Sequence, residues 1–229
     1  MKIVTNEGLI NRNKKIGQVA TFSSLAVLAV GFFMAWKPET MNYSFTALIV
    51  GFILSQVGIY FGTRFVRSPT PVEVLNQKLK GLGEKFVLYH YKTKVPHLLI
   101  GPAGIWVLST YFQPGIISYD SETNRYKQGG RSLYMRLFSQ ETLGRPDLET
   151  KAHIEETSKY LQKLVEGVQL PPVKAAVVFV SDKAKVQVEN APYPTMHVDK
   201  LKEFIRRQVK PDAISEEALQ ALKQALPQE

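Results

Sequence analysis

Cysteine is absent from the 229 residues, which excludes disulfides, thiolate nucleophiles and cysteine-built zinc sites. Charge is absent from two 18-residue runs, Val19–Trp36 and Ser44–Phe61. Acidic residues are scarce in residues 1–70, which hold seven Lys/Arg against two Asp/Glu. Internal repeats and low-complexity tracts are also missing. What remains is 45% apolar and 21% charged, the composition of a folded protein. The formal net charge is +9. Residues 71–229 hold 22 basic and 18 acidic side chains, so much of the excess flanks the apolar runs. A sequence pI of 9.6 is therefore poor evidence for nucleic-acid binding.

The two uncharged runs predict a transmembrane hairpin. As helices rising 1.5 Å per residue, each reaches roughly 27 Å, close to the thickness of a bilayer's hydrocarbon core. The connection, residues 37–43, is only long enough to turn back. Trp36, Tyr43 and Tyr60 stand at the ends, where interfacial aromatics collect. A cleaved signal peptide leaves the second run unexplained. Buried helices of a soluble protein are rarely free of charge on every face. Arg12, Lys14 and Lys15 precede the first run, Arg64 and Arg67 follow the second, and the loop offers Lys37 offset by Glu39. The expectation is a multi-pass cell-membrane protein with both termini cytoplasmic. Ser23, Ser24, Ala26, Ala29 and Gly31, then Ala47, Gly51 and Ser55, permit close helix packing or dimerisation. Gln56 is the only amide in either run. Without an acidic residue the spans make a poor transporter.

Five segments are expected. They are a basic cytoplasmic N-terminus (1–18), the hairpin (19–61), a juxtamembrane linker (62–71), an α/β domain (72–192) and a helical extension packed on it (193–229). Pro71 opens a helix to about Leu82 with Val72, Leu75, Leu79 and Leu82 on one face. Short strands follow at Phe86–Tyr91, His97–Ile100, Ile105–Leu108 and Gly115–Tyr119, with Tyr126 returning after a turn at 120–125. Residues 128–145 show no clean period. Asp147 caps a long helix to about Val168 with Ile154, Leu161, Leu164, Val165 and Val168 as its stripe. Val173–Val180 is apolar enough for an interior strand covered on both faces, and Val186–Val188 reads as a further short strand. Helices follow from Asp199 to Arg207 and from Ser215 onward. This order points to an α/β domain around a mixed sheet.

From Val95 to Tyr111 the chain reads VPHLLIGPAGIWVLSTY, and here it resembles the nuclease-related domain (NERD) family. His97, Gly101, Pro102 and Gly104 match the family's scaffold residues. Arg145-Pro146 followed by Glu149 is similar to its Asn-Pro stretch with a trailing Gln. The resemblance covers roughly residues 72–192 and implies a restriction-endonuclease-like fold. It also implies where a catalytic set belongs, and there the chain departs from the family. The metal-binding Asp falls on Pro96, the Glu on Ser109 and the Lys on Tyr111.

Such nucleases need two carboxylates to hold a divalent metal and a lysine to steady the charge developing on phosphorus. Proline offers no ligand atom, a serine hydroxyl is a feeble magnesium ligand, and tyrosine carries no positive charge at pH 7. The expectation is a degenerate, non-catalytic domain that binds or scaffolds, with no cofactor and with a protein partner or a second copy. The alternative is a metal-dependent nuclease with relocated ligands, and only that reading calls for magnesium. Glu73, Glu84 and Glu149 are the acidic candidates for it. Glu149 also fits simple stabilisation of a helix N-terminus. His97 reads as a packing residue, and His90 and His153 have no ligand spacing to it. Nucleic acid as a partner has some support in Lys92, Lys94, Arg125, Lys127, Arg131 and Arg136, interleaved with Tyr91, Tyr126 and Tyr134. A solvated surface explains the same residues.

Overall fold

The first four residues after Met1 already depart from a plain basic tail. Lys2–Thr5 is a strand, β1, and Ile, Val and Thr are β-branched residues that suit one. The structure, a computed structural model, describes residues 1–130 and 143–228. These form two units. One is residues 6–73; the other joins residues 1–5 to residues 74–229.

Residues 6–73 form a helical hairpin. Helix α1 runs Glu7–Met34. Asn6 caps it, its side chain accepting from the Leu9 amide at 3.0 Å. The uncharged run predicts a membrane span that starts at Val19. No proline or competing cap interrupts residues 7–19, so the helix begins twelve residues earlier and Arg12, Lys14 and Lys15 lie within it. A 3₁₀ turn at Pro38–Thr40 reverses the chain, and Thr40 Oγ1 donates to the Met34 carbonyl at 2.7 Å. Helix α2, Met41–Phe61, returns and ends in a π-turn at Gly62–Val66.

Part of the small-residue set serves the contact between these two helices, while Ala26 and Ala29 are exposed. Ser24, Gly31, Ser44, Gly51 and Gly58 are buried, and Ser44 Oγ donates to the Gly31 carbonyl at 2.7 Å. A Cβ at Gly51 would stand 2.7 Å from Leu28, and one at Gly58 2.6 Å from Thr21 Oγ1. Close approach therefore requires glycine at both positions. Phe22, Phe33, Phe45 and Ile49 face outward, as apolar side chains do in lipid. Both helices are long and apolar enough to cross a membrane.

The second unit is α/β. Helix α3 (Pro71–Leu79) leads to three antiparallel strands, β2 (Val87–His90), β3 (His97–Gly101) and β4 (Gly104–Tyr111). Strands β5 (Gly115–Asp120) and β6 (Arg125–Gly129) form a hairpin. Helix α4 (Pro146–Leu164) precedes β7 (Lys174–Phe179), β8 (Ala184–Val186) and β9 (Thr195–His197). Helices α5 (Val198–Arg207) and α6 (Glu216–Ala225) complete the described chain.

A mixed six-stranded sheet has the order β1-β2-β3-β4-β7-β9, and a smaller sheet has the order β6-β5-β8. Side-chain alternation splits the large sheet into two cores. On one face Leu88, Leu99, Trp106, Leu108 and Val178 pack with Leu75 and Leu79 of α3 and Leu201 and Ile205 of α5. On the other Tyr89, Leu98, Ile100, Ile105 and Val107 pack with Leu161 of α4 and Leu219 and Leu222 of α6.

The expected mixed sheet and its interior strand at residues 174–179 are present, with β7 between β4 and β9. Two strands are additions to the sequence reading. Strand β1 pairs in parallel with β2, and β9, inside the segment read as a helical extension, pairs in parallel with β7.

Candidate functional site

The positions singled out by the resemblance cluster around the end of β4 and the start of α4. On β4, residues 105, 107, 109 and 111 share one face, so Ser109 and Tyr111 continue the row that Ile105 and Val107 begin. Pro146 opens α4, with its fixed φ suited to a first turn. Thr150 follows one turn later on the helix face turned to the sheet, buried against Ser109.

Two hydrogen bonds tie strand to helix. Thr150 Oγ1 donates to Ser109 Oγ at 3.1 Å, both groups being buried. Tyr111 Oη donates to Glu149 Oε2 at 2.8 Å. The Tyr111 ring leans on Phe179 with centroids 5.7 Å apart. Burial pushes the Tyr111 phenol well above its ordinary value, and the Glu149 carboxylate adds to the shift. The phenol is therefore a fixed proton donor at neutral pH.

Arg145 and Asp147 form a two-pronged ion pair, Nε to Oδ1 at 3.1 Å and Nη2 to Oδ2 at 2.7 Å. The Arg145 hydrogen bond holds the Asp147 carboxyl below the usual carboxylate range, against the opposing effect of burial. Pro96 lies in the turn before β3, its carbonyl accepting from the Tyr91 amide at 2.9 Å.

The donor set does not suit a magnesium ion. Pro96 offers no side-chain atom, the Ser109 oxygen is engaged by Thr150, and Glu149 is engaged by Tyr111. Among the described residues no group of three or more His, Cys, Asp or Glu is placed to hold a metal.

The other acidic candidates lie elsewhere. Glu73 forms a capping box with Thr70, the Thr70 amide donating to its Oε2 at 2.8 Å and the Glu73 amide to Thr70 Oγ1 at 3.2 Å. Glu84 is exposed between α3 and β2. His97 and His90 are buried and joined Nδ1 to Nδ1 at 2.8 Å, with His90 Nε2 2.9 Å from Asn76 Oδ1. His153 stands on α4.

The basic candidates fall into two places. Lys92 and Lys94 occupy the β2–β3 turn, beside the large sheet. Arg125 and Lys127 are on β6 of the small sheet, where Lys127 pairs with Asp120 at 2.5 Å. The two described aromatics among them, Tyr91 and Tyr126, are engaged in packing. The Tyr126 hydroxyl is 2.7 Å from Thr195 Oγ1, and Tyr91 packs edge-on against His97. Arg131, Tyr134 and Arg136 lie outside the described residues.

Sequence reasoning missed Thr150, the Arg145–Asp147 pair and Asn76. A signal for the first existed. Asp147, Thr150 and Thr157 recur at helical spacing along α4 and are all buried, a polar stripe where an apolar one is expected. Fold and site together define an α/β protein with a mixed six-stranded sheet, with two long apolar helices in the chain between its first strand and the rest. Compared with family models, curated proteins and solved structures, the chain matches none.

Proposed function

We propose that the chain is a membrane-tethered protein whose α/β unit is a degenerate nuclease-like domain of restriction-endonuclease-like fold. On this reading it binds or scaffolds and does not cleave. The observation that carries the proposal is the bond from Tyr111 to Glu149. The side chain at the family's lysine position is neutral, and it engages the acidic residue best placed to replace a lost ligand. The order of elements supports the resemblance behind it. Strand β3, the Pro102–Ala103 turn and β4 are followed by α4 and then β7, which lies beside β4 in the sheet.

Connectivity supports a membrane topology with both termini cytoplasmic. The chain leaves the sheet at Thr5, runs through two apolar helices, and re-enters the same α/β unit at Val74. If both helices cross, two crossings return the chain to the side it left, in keeping with both ends of the hairpin lying on one side of the membrane. The basic flanks assign that side to the cytoplasm.

Isolation of the tagged full-length chain from crosslinked membranes, with and without nuclease treatment, tests the binding role. A retained protein, or a nucleic acid lost on nuclease treatment, is the expected result. Recovery of the chain free of both would contradict it.

A further inference from the structure

We propose that Asn76, His90 and His97 form an acid-sensitive latch that holds α3, the helix through which the chain enters the sheet after the apolar hairpin, against strands β2 and β3. Asn76 is on α3, His90 ends β2 and His97 begins β3. The two histidines face each other in the antiparallel register. Their Nδ1 atoms are 2.8 Å apart, and His90 Nε2 is 2.9 Å from Asn76 Oδ1. Both rings are buried, at 0% and 1% exposure.

Proton counting follows from this geometry. Two Nδ1 atoms at hydrogen-bond distance hold one proton between them, one nitrogen donating and the other accepting. With His90 Nε2–H donating to Asn76 Oδ1, neutral His90 accepts at Nδ1 and neutral His97 donates. The chain of bonds then runs from His97 through His90 to Asn76 and leaves at its start His97 Nε2, a buried nitrogen with no partner among the described residues.

Adding one proton puts an N–H on that nitrogen with nothing to accept it, and places a charge in the core. Adding a second sets two N–H groups against each other and breaks the Nδ1 bond. Opening α3 relieves both penalties by letting water reach the rings.

Among the described residues no charge near the pair offsets the cost. His90 and, from α4, His153 are the titratable groups that act on His97, and both oppose its protonation. Tyr91 contributes a ring edge. On α3, Glu73 is held by Thr70 and Lys78 pairs with Asp199 of α5 at 2.5 Å. Burial lowers His90 from 6.5 to about 4 and depresses His97 in the same direction. A lowered folded-state value means that the stabilisation is complete above about 6.5 and is lost as pH falls toward 4. Between pH 7.5 and 5.0, His90 alone raises the opening constant about 30-fold if it regains its ordinary value on opening.

Hydrogen exchange on the full-length chain in detergent tests the latch, with rates corrected for intrinsic pH dependence. Protection of the Val74–Leu79 amides should fall at least about 30-fold from pH 7.5 to 5.0 while β4 and β7 keep theirs. Unchanged protection in α3 would overturn the proposal. So would an equal loss across β4 and β7, which marks global acid unfolding. In the His90→Leu/His97→Leu double variant the pH dependence of α3 should vanish, and its persistence would be a second refutation. If that variant does not fold, imidazole ¹⁵N shifts of the native chain decide the matter. Both rings should stay neutral in the closed state at pH 5.0, and titration of His97 near 6.5 with α3 still protected would exclude the latch.

Discussion

Val4 offers a direct test of whether β1 belongs to the folded sheet. It is 2% exposed, lies opposite Tyr89 in the register with β2, and packs with Val87, Leu98 and Ile100. Its neighbour Ile3, on the other face, is 42% exposed. Burying a valine contributes about 1.5–3 kcal/mol. Placing an unpartnered carboxylate there adds a further cost on the order of several kcal/mol. Peeling the strand away sets a ceiling, because each freed residue regains about 1–2 kcal/mol of backbone entropy. Val4→Asp should therefore destabilise by about 2–4 kcal/mol and Val4→Ala by about 1–2 kcal/mol, while Ile3→Asp stays within about 0.5 kcal/mol. The assay is equilibrium urea unfolding of the full chain in detergent, followed by Trp106 fluorescence in a Trp36→Phe background. Equal shifts for Val4→Asp and Ile3→Asp would refute the reasoning. A chain begun at Ser68 lacks β1 and should lose stability to a similar degree.

Tyr111→Phe should cost about 1 kcal/mol in the same assay, since exposed Glu149 rehydrates when it loses its donor. Tyr111→Ala, which also removes the ring from Phe179, should cost about 3–5 kcal/mol, and equal costs for the two would show that the hydroxyl dominates. Gly58→Leu forces a side chain against Thr21 and should destabilise the hairpin by about 1–3 kcal/mol, read as earlier thermal loss of the monodisperse peak in detergent. Unchanged melting would mean that the helices do not approach as closely as described. Met41→Cys should react with an impermeant maleimide on intact cells while Asp212→Cys should not, and the opposite pattern would reverse the proposed topology.

The hairpin is legible because hydrophobic length is a one-dimensional property, and the interior strand because residues 175–180 are six apolar residues in a row, rich in valine. Strand β1 is not legible. Four residues carry too little periodicity, and its partner lies more than 80 positions away. Strand β9, three residues among prolines, escapes for the same reason. The limit of α1 is misplaced because charge marks the edge of lipid and not the end of a helix. Arg12 to Lys15 continue it without a break. At the candidate site, positions 96, 109 and 111 stand out in the sequence only against the proposed family resemblance. That Ser109 meets Thr150 and Tyr111 meets Glu149 requires the packing of α4 on β4, which no spacing along the chain encodes.

Incubation of the purified full-length chain with plasmid and single-stranded substrates, in magnesium and in manganese, tests the non-catalytic reading most directly. Losing one charge-stabilising group in such a site costs several kcal/mol of barrier, and about 1.4 kcal/mol is tenfold in rate. With neutral residues at positions 96, 109 and 111, turnover should be indistinguishable from a metal-free control. Metal-dependent cleavage that co-purifies with the chain and disappears in Glu149→Gln would contradict it.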